Sequence, residues 1–198
     1  MPSVRTFVAI ELKPGILDAL EEVQEQLRRG EGGRAGRWVR RDSHHLTLKF
    51  LGEVPVKQLE SIYEAVERAC EGYHPFVLTM TGLECLPNPR RARVICMGVQ
   101  DETGQLLGVQ RSVERELSRL GFPEERRRFR PHLTLARIRR GAARWEVEAL
   151  VDSVAKYEVA ERACMRVTEV SVVRSDLRQE GPIYTQLFQA SLTGGEGH

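Results

Sequence analysis

Lysine is scarce in this chain: 4 residues against 26 arginines, in a total of 30 basic and 28 acidic side chains over 198 residues. The formal net charge is only +2, so a histone-like polycation is excluded. Cysteine is also sparse. Cys70, Cys85, Cys96 and Cys164 form no C-x-x-C pair and have no histidine at zinc-finger spacing, which leaves isolated thiols in a reducing compartment. The longest stretch without a charge, residues 72–83, is too short and too polar to cross a bilayer, and the N-terminus lacks an apolar run of signal-peptide length. A cytoplasmic protein with no membrane partner is expected. The glycine-rich stretch Gly30–Arg37 lacks the order of a nucleotide-binding P-loop and reads as a basic loop. At 41% hydrophobic residues the chain has enough apolar material for a real core.

Periodicity divides the chain into alternating elements. Thr6–Leu12 is apolar and β-branched and reads as a strand. Pro14 opens a helix with Ile16, Leu17, Leu20, Val23 and Leu27 at helical spacing and Gly30 as its stop. A strand over His45–Leu51, a helix over Pro55–Cys70, and strands over Phe76–Met80 and Val94–Val99 follow, the last two joined by an exposed turn. Next come a helix over Thr103–Leu120, a strand over Phe129–Ile138 and a short helix over Trp145–Ser153. Strands over Arg166–Arg174 and Ile183–Leu192 end the order. Few helices separate many strands, so the pattern predicts α+β with mostly antiparallel sheets. A frayed tail is expected over 193–198.

One tetrapeptide occurs twice. His45-Leu46-Thr47-Leu48 recurs as His132-Leu133-Thr134-Leu135, close to half a chain length later. Duplication of a supersecondary unit predicts one bilobal domain over 1–192, built from units of roughly 1–90 and 91–192 related by a pseudo-twofold axis, with helices outside and a cleft between. Strand alternation puts His45 and Thr47 on one face, with Leu46, Leu48 and Phe50 on the other. The second copy repeats this. If the polar faces meet, the cleft holds two imidazoles and two hydroxyls. One neutral imidazole can accept a proton while a charged one donates, and the hydroxyls can hold phosphate oxygens. No metal or other cofactor is required by such a pair, and the arrangement suits in-line displacement at a cyclic phosphodiester. The two copies are symmetric, so the residues leave open which histidine is acid and which is base. His44, His74 and His198 receive no role.

Weaker candidates surround the pair. Arg130 shares the face of His132 if the strand is regular, and could reach a phosphate; Arg137 has the opposite parity and reads as a surface or lobe-bridging residue. Residues 123–144 hold eight arginines against two glutamates, a basic patch suited to a polyanion. Phe7, Trp38 and Tyr184 are candidates for stacking on a base.

The doubled His-Leu-Thr-Leu resembles the H-x-T-x pair of the two-histidine phosphoesterases. Arg5–Ile10, His45–Gly52, Phe129–Arg137, Ser175–Leu177 and Gly181–Tyr184 resemble the bacterial and archaeal RNA 2′,3′-cyclic phosphodiesterases, first named for 2′–5′ RNA ligation. The likeness spans essentially the whole chain. It implies a bilobal α+β fold and metal-independent hydrolysis of RNA 2′,3′-cyclic phosphate ends to 2′-phosphates. It also implies His45 as proton donor, His132 as proton acceptor, and a monomer acting on RNA ends, with tRNA fragments among the candidate substrates. Two alternatives stay open: 2′–5′ ligation at the same cleft, and non-catalytic RNA binding.

Overall fold

The computed structural model describes residues 2–159, 162–178 and 181–194. Among these described residues nine strands and four α-helices run in the order β1 (Ser3–Glu11), α1 (Pro14–Arg29), β2 (Gly36–Trp38), β3 (His45–Pro55), α2 (Leu59–Cys70), β4 (Phe76–Leu86), β5 (Val94–Gln100), α3 (Gln105–Ser118), β6 (His132–Ile138), α4 (Arg144–Lys156), β7 (Cys164–Val167), β8 (Glu169–Arg178) and β9 (Gly181–Ser191). They form two antiparallel sheets. The first has the order β3-β1-β8-β9 and the second β2-β6-β5-β4-β7. The fold is α+β, as the element order implied.

Each sheet recruits strands from both ends of the chain. Two strands of the first sheet come from residues 3–55 and two from 169–191, while β4 crosses into the second sheet. The helices cross over too. Helix α1 follows a strand of the first sheet yet packs on the second, and α3 leaves the second sheet to pack on the first. A sheet is therefore not a half of the sequence. The reason is burial: one face of each sheet is closed by two helices, α2 and α3 on the first, α1 and α4 on the second, around one continuous apolar core.

Local departures from the sequence reading have local causes. The strand expected from Phe129 starts only at His132, because Pro131 has no N–H to give the ladder. The strand expected over Arg166–Arg174 is two, β7 and β8, which belong to different sheets and change over at Thr168. The helix expected from Pro55 begins as a single 3₁₀ turn, Val56–Gln58. The glycine-rich loop is a packed connection. A Cβ on Gly32 would come within 2.1 Å of the Leu150 amide nitrogen, and one on Gly33 within 2.0 Å of the Arg28 carbonyl oxygen. Glycine is what lets the chain pass between α1 and α4.

Cys70, Cys85 and Cys96 are buried free thiols and Cys164 is exposed. Burial pushes the Cys70 and Cys96 thiols up to about 12. Among the described residues no helix is long and apolar enough to cross a membrane. Of the expected tail, Gly194 donates its N–H to the Tyr73 carbonyl, and residues 195–198, His198 included, lie outside the described residues.

Candidate active site

The two histidine motifs begin β3 and β6, which lie in different sheets and approach each other where the helix-free faces meet. In both copies the histidine and threonine are half-buried and the two leucines are buried, so alternation holds through four residues. It then breaks identically in each. Ala9 pairs with Thr47 and Val8 with Lys49, which leaves Leu48 as an extra residue. Cys96 pairs with Thr134 and Ile95 with Ala136, which leaves Leu135 extra. Each bulge reverses the parity downstream. Lys49 and Ala136 turn into the core, while Phe50 and Arg137, both exposed, turn onto the face of the histidines.

The bulges are clamped from the helix side. Buried Gln24 of α1 donates from Nε2 to the Leu135 carbonyl at 2.8 Å and to the Val39 carbonyl at 3.0 Å. Gln110 of α3 donates to the Leu48 carbonyl at 3.5 Å. Each glutamine gives the carbonyl at the bulge a side-chain donor, and the Leu135 carbonyl also accepts from the Val39 N–H at 2.8 Å. The crossed helices thus make each half of the sequence hold the other half's motif. The buried Lys49 ammonium meets the buried Glu114 carboxylate and the Pro123 carbonyl, which satisfies the charge the first bulge turns inward.

His45 sits among aromatics. Its ring centroid lies 4.6 Å from Phe7 and 5.0 Å from Tyr184, the latter edge-on at 89°. Phe7 in turn lies 5.2 Å from Tyr184 and 6.0 Å from Phe50. Burial lowers the His45 pKa to about 4, the Ser43 backbone works the other way, and positive charge at His44 and Arg137 adds to the depression. The same arginine acts on Tyr184. Arg137 of the second sheet therefore stands within electrostatic reach of the histidine of the first.

His132 is held by its Nδ1, 2.7 Å from the Arg130 carbonyl oxygen. A carbonyl only accepts, so Nδ1 carries the proton and Nε2 is the lone pair of the neutral ring. The Ser43 backbone stands in the same relative position to His45, two residues upstream, without a hydrogen bond of normal geometry. Neither Thr47 nor Thr134 uses its hydroxyl in a hydrogen bond among the described residues. Among the same residues no group of three or more His, Cys, Asp or Glu side chains could hold a metal ion.

The LigT like phosphoesterase profile matches this chain twice, over residues 10–96 and 98–184. The chain belongs to that family. A curated relative from Methanothermobacter thermautotrophicus, named RNA 2′,3′-cyclic phosphodiesterase, is 36% identical over 93% of this chain and 96% of its own length. One from Thermotoga maritima with the same name is 32% identical over 97% of each chain. Among solved structures, TT0787 of Thermus thermophilus superposes with a TM-score of 0.80 at 29% identity, covering 98% of this chain and all of its own. E. coli LigT complexed with 3′-AMP gives 0.75 at 25% identity, over 97% and 99%.

Within this LigT like phosphoesterase, three of the expected contact residues make contacts within the chain. The Arg130 guanidinium is paired with Glu84 at 2.7 Å; the residue lies before the strand, so alternation does not govern it, and its carbonyl is the part that touches His132. Trp38 pairs with Ala136 on the core-facing side of the second sheet. Its indole N–H donates to the Gly33 carbonyl at 3.0 Å, and Arg28 lies 5.6 Å over one face of the ring. Phe7 is only 3% exposed and forms the floor under His45, whereas Phe50 at 66% is the open ring of the cluster. Tyr184 is half-buried with its edge to His45.

Phe50 and Arg137 are what alternation missed. A signal was present: an arginine five residues after His132 resists burial, so parity had to break between Leu135 and Arg137, and the duplication carries that break to Leu48. His44, given no role, is buried against the Thr134 backbone with neither ring nitrogen in a hydrogen bond of normal geometry, and burial lowers its pKa.

Proposed function

We propose that this phosphoesterase hydrolyses the 2′,3′-cyclic phosphate at the end of an RNA strand to a 2′-phosphate. The observation that carries the reading is the repeated bulge: it sets His45, Thr47 and Phe50 on one face of β3 and His132, Thr134 and Arg137 on one face of β6, and those two strands approach each other. The names borne by relatives at 36% and 32% identity support the substrate class. In this reading Nε2 of His132 takes a proton from water as its oxygen bonds to phosphorus. The bond from phosphorus to the 3′ oxygen breaks, and that oxygen leaves with a proton from His45. Thr47, Thr134 and Arg137 hold the non-bridging oxygens, and Phe50 offers a face to the terminal base. Acid, base and cation are all side chains, so activity is expected to persist in EDTA. One chain supplies both motifs, so the working unit is a single bilobal monomer with two duplicated units; a cytoplasmic location fits its four free thiols. tRNA fragments are among the ends that meet the chemical requirement.

The reverse assignment has an observation in its favour. Burial holds His45 neutral at pH 7, a state ready to accept a proton. As donor it needs the bound phosphate's negative charge to raise its proton affinity.

The test is product analysis on an oligonucleotide ending in 2′,3′-cyclic phosphate. A 2′-phosphate product, lost in both His45→Ala and His132→Ala, is expected. A 3′-phosphate, or wild-type turnover in both variants, overturns the reading. Joining of a 5′-hydroxyl strand to the cyclic end would show 2′–5′ ligation, and tight RNA binding without product would leave a clamp.

A further inference from the structure

Arg37 belongs to none of the groups assigned above. It lies on β2 directly opposite Arg137 on β6, and cross-strand partners point to the same face. That face is the one the second bulge gives to Arg137, shared with His132 and Thr134. Both guanidinium groups are exposed, and neither has an ion-pair or hydrogen-bond partner among the described residues. Several nearby arginines are paired, though among the described residues Arg34 and Arg140 are not. Arg40 pairs with Asp42, Arg41 with Asp18 and Glu21, Arg130 with Glu84, and Arg139 reaches Glu146. Like charges directly opposite each other on two strands repel. Here the repulsion has no carboxylate to relieve it, which is the state expected of a pair awaiting an anion.

The strand that carries Arg37 is fixed at both ends. The Trp38 indole holds Gly33, the Val39 N–H donates to the Leu135 carbonyl at 2.8 Å, and Gln24 clamps both Val39 and Leu135. A Cβ on Gly36 would lie 3.0 Å from the Trp38 ring and 3.2 Å from the Ala136 side chain, so the turn into β2 is tightly seated. Arg37 is thus delivered by rigid backbone beside Arg137.

We propose that Arg37 and Arg137 form a second phosphate subsite, which takes the phosphate on the 5′ oxygen of the nucleoside that bears the cyclic end. An RNA strand ending in a cyclic phosphate has its next phosphate there and nowhere nearer. Arg137 stands between the two phosphates and Arg37 meets only the outer one. The consequence is specificity: the enzyme distinguishes an RNA end, or a 5′-phosphorylated nucleotide, from a free nucleoside cyclic phosphate. The proposal rests on the hydrolytic reading above and names its substrate more closely.

The experiment compares cytidine 2′,3′-cyclic phosphate with and without a 5′-phosphate, in the wild type, Arg37→Gln and Arg37→Lys. The wild type is expected to favour the 5′-phosphorylated form. Arg37→Gln should lower kcat/KM about tenfold for that form and leave the other within about twofold, with Arg37→Lys between them. Equal losses on both substrates, or none on either, overturn the subsite. A folded wild type that turns over neither substrate overturns the hydrolytic reading instead. Calorimetry then judges the subsite by itself: Arg37→Gln should weaken adenosine 3′,5′-bisphosphate and spare 3′-AMP, and equal affinities of both ligands in wild type and variant would end the proposal.

Discussion

The two histidines share a tetrapeptide, a bulge and a glutamine clamp, yet they sit in unlike surroundings. His45 lies against Phe7 and Tyr184 with Phe50 beyond. His132 lies beside a groove of about 450 Å³ whose lining includes Glu84, Arg128 and Arg130. At the position five residues on, one copy has a phenylalanine and the other an arginine. A symmetric frame with asymmetric walls is what a directional reaction requires. Water must attack from one side and the sugar oxygen leave from the other, so identical environments would serve neither step well. The comparison teaches that a repeated motif and bulge place the two imidazoles alike, while the residues around them differ.

The largest effect expected from breaking this asymmetry concerns proton donation. On bis(4-nitrophenyl) phosphate the leaving group needs no proton. The variant lacking the acid should therefore recover relative to wild type, while the variant lacking the base stays down by roughly 10²–10⁴-fold. Recovery in His45→Ala supports the donor role assigned to His45, and recovery in His132→Ala reverses the roles. Next in size, Arg137→Gln removes a charged contact worth about 1.5–3 kcal/mol, so kcat/KM should fall roughly 10- to 100-fold. An unchanged rate would deny that the second bulge aims this side chain at phosphate.

The buried side of the comparison shows in stability. His45 binds its proton near pH 4 in the folded chain, against ~6.5 when unfolded. Between those values the unfolded state holds the extra proton. Stability is therefore fully present above about pH 6.5 and falls by roughly 2–3 kcal/mol as the pH drops towards 4. Urea midpoints at pH 7 and 4.5 measure it. His45→Phe should flatten the slope, with a residue of it left by His44, whose burial acts in the same direction. The smallest effect separates the clamps. Gln24→Leu removes two hydrogen bonds, to the Val39 and Leu135 carbonyls, and should cost about 2 kcal/mol; Gln110→Leu, with its longer bond to Leu48, about 1 kcal/mol. Equal losses in urea unfolding would mean that the clamps hold equally.

Much of the frame was legible in order and spacing. The four helices and the strands bearing the motifs follow from apolar periods of 3.6 and 2, and the doubled motif is plain in the letters. Phe50 and Arg137 were misplaced because alternation assumes an unbroken ladder, and a bulge is a pairing event between strands far apart in sequence. Trp38 and Phe7 were offered to a base because an aromatic near a motif carries no mark of which side it faces. Arg130 was offered to phosphate because nothing local announces Glu84, 46 residues away, as its partner.

Composition, periodicity and repetition by themselves determined an α+β chain with two imidazole–hydroxyl strands, since these depend on neighbours along the backbone. Tertiary structure alone decided that the sheets draw strands from both halves, that crossed helices clamp each other's motif, and which side chains reach the helix-free face. Those outcomes turn on strand register and on the burial of particular carbonyls and charges. Both are settled only when distant segments compete for the same partners and the same dry interior.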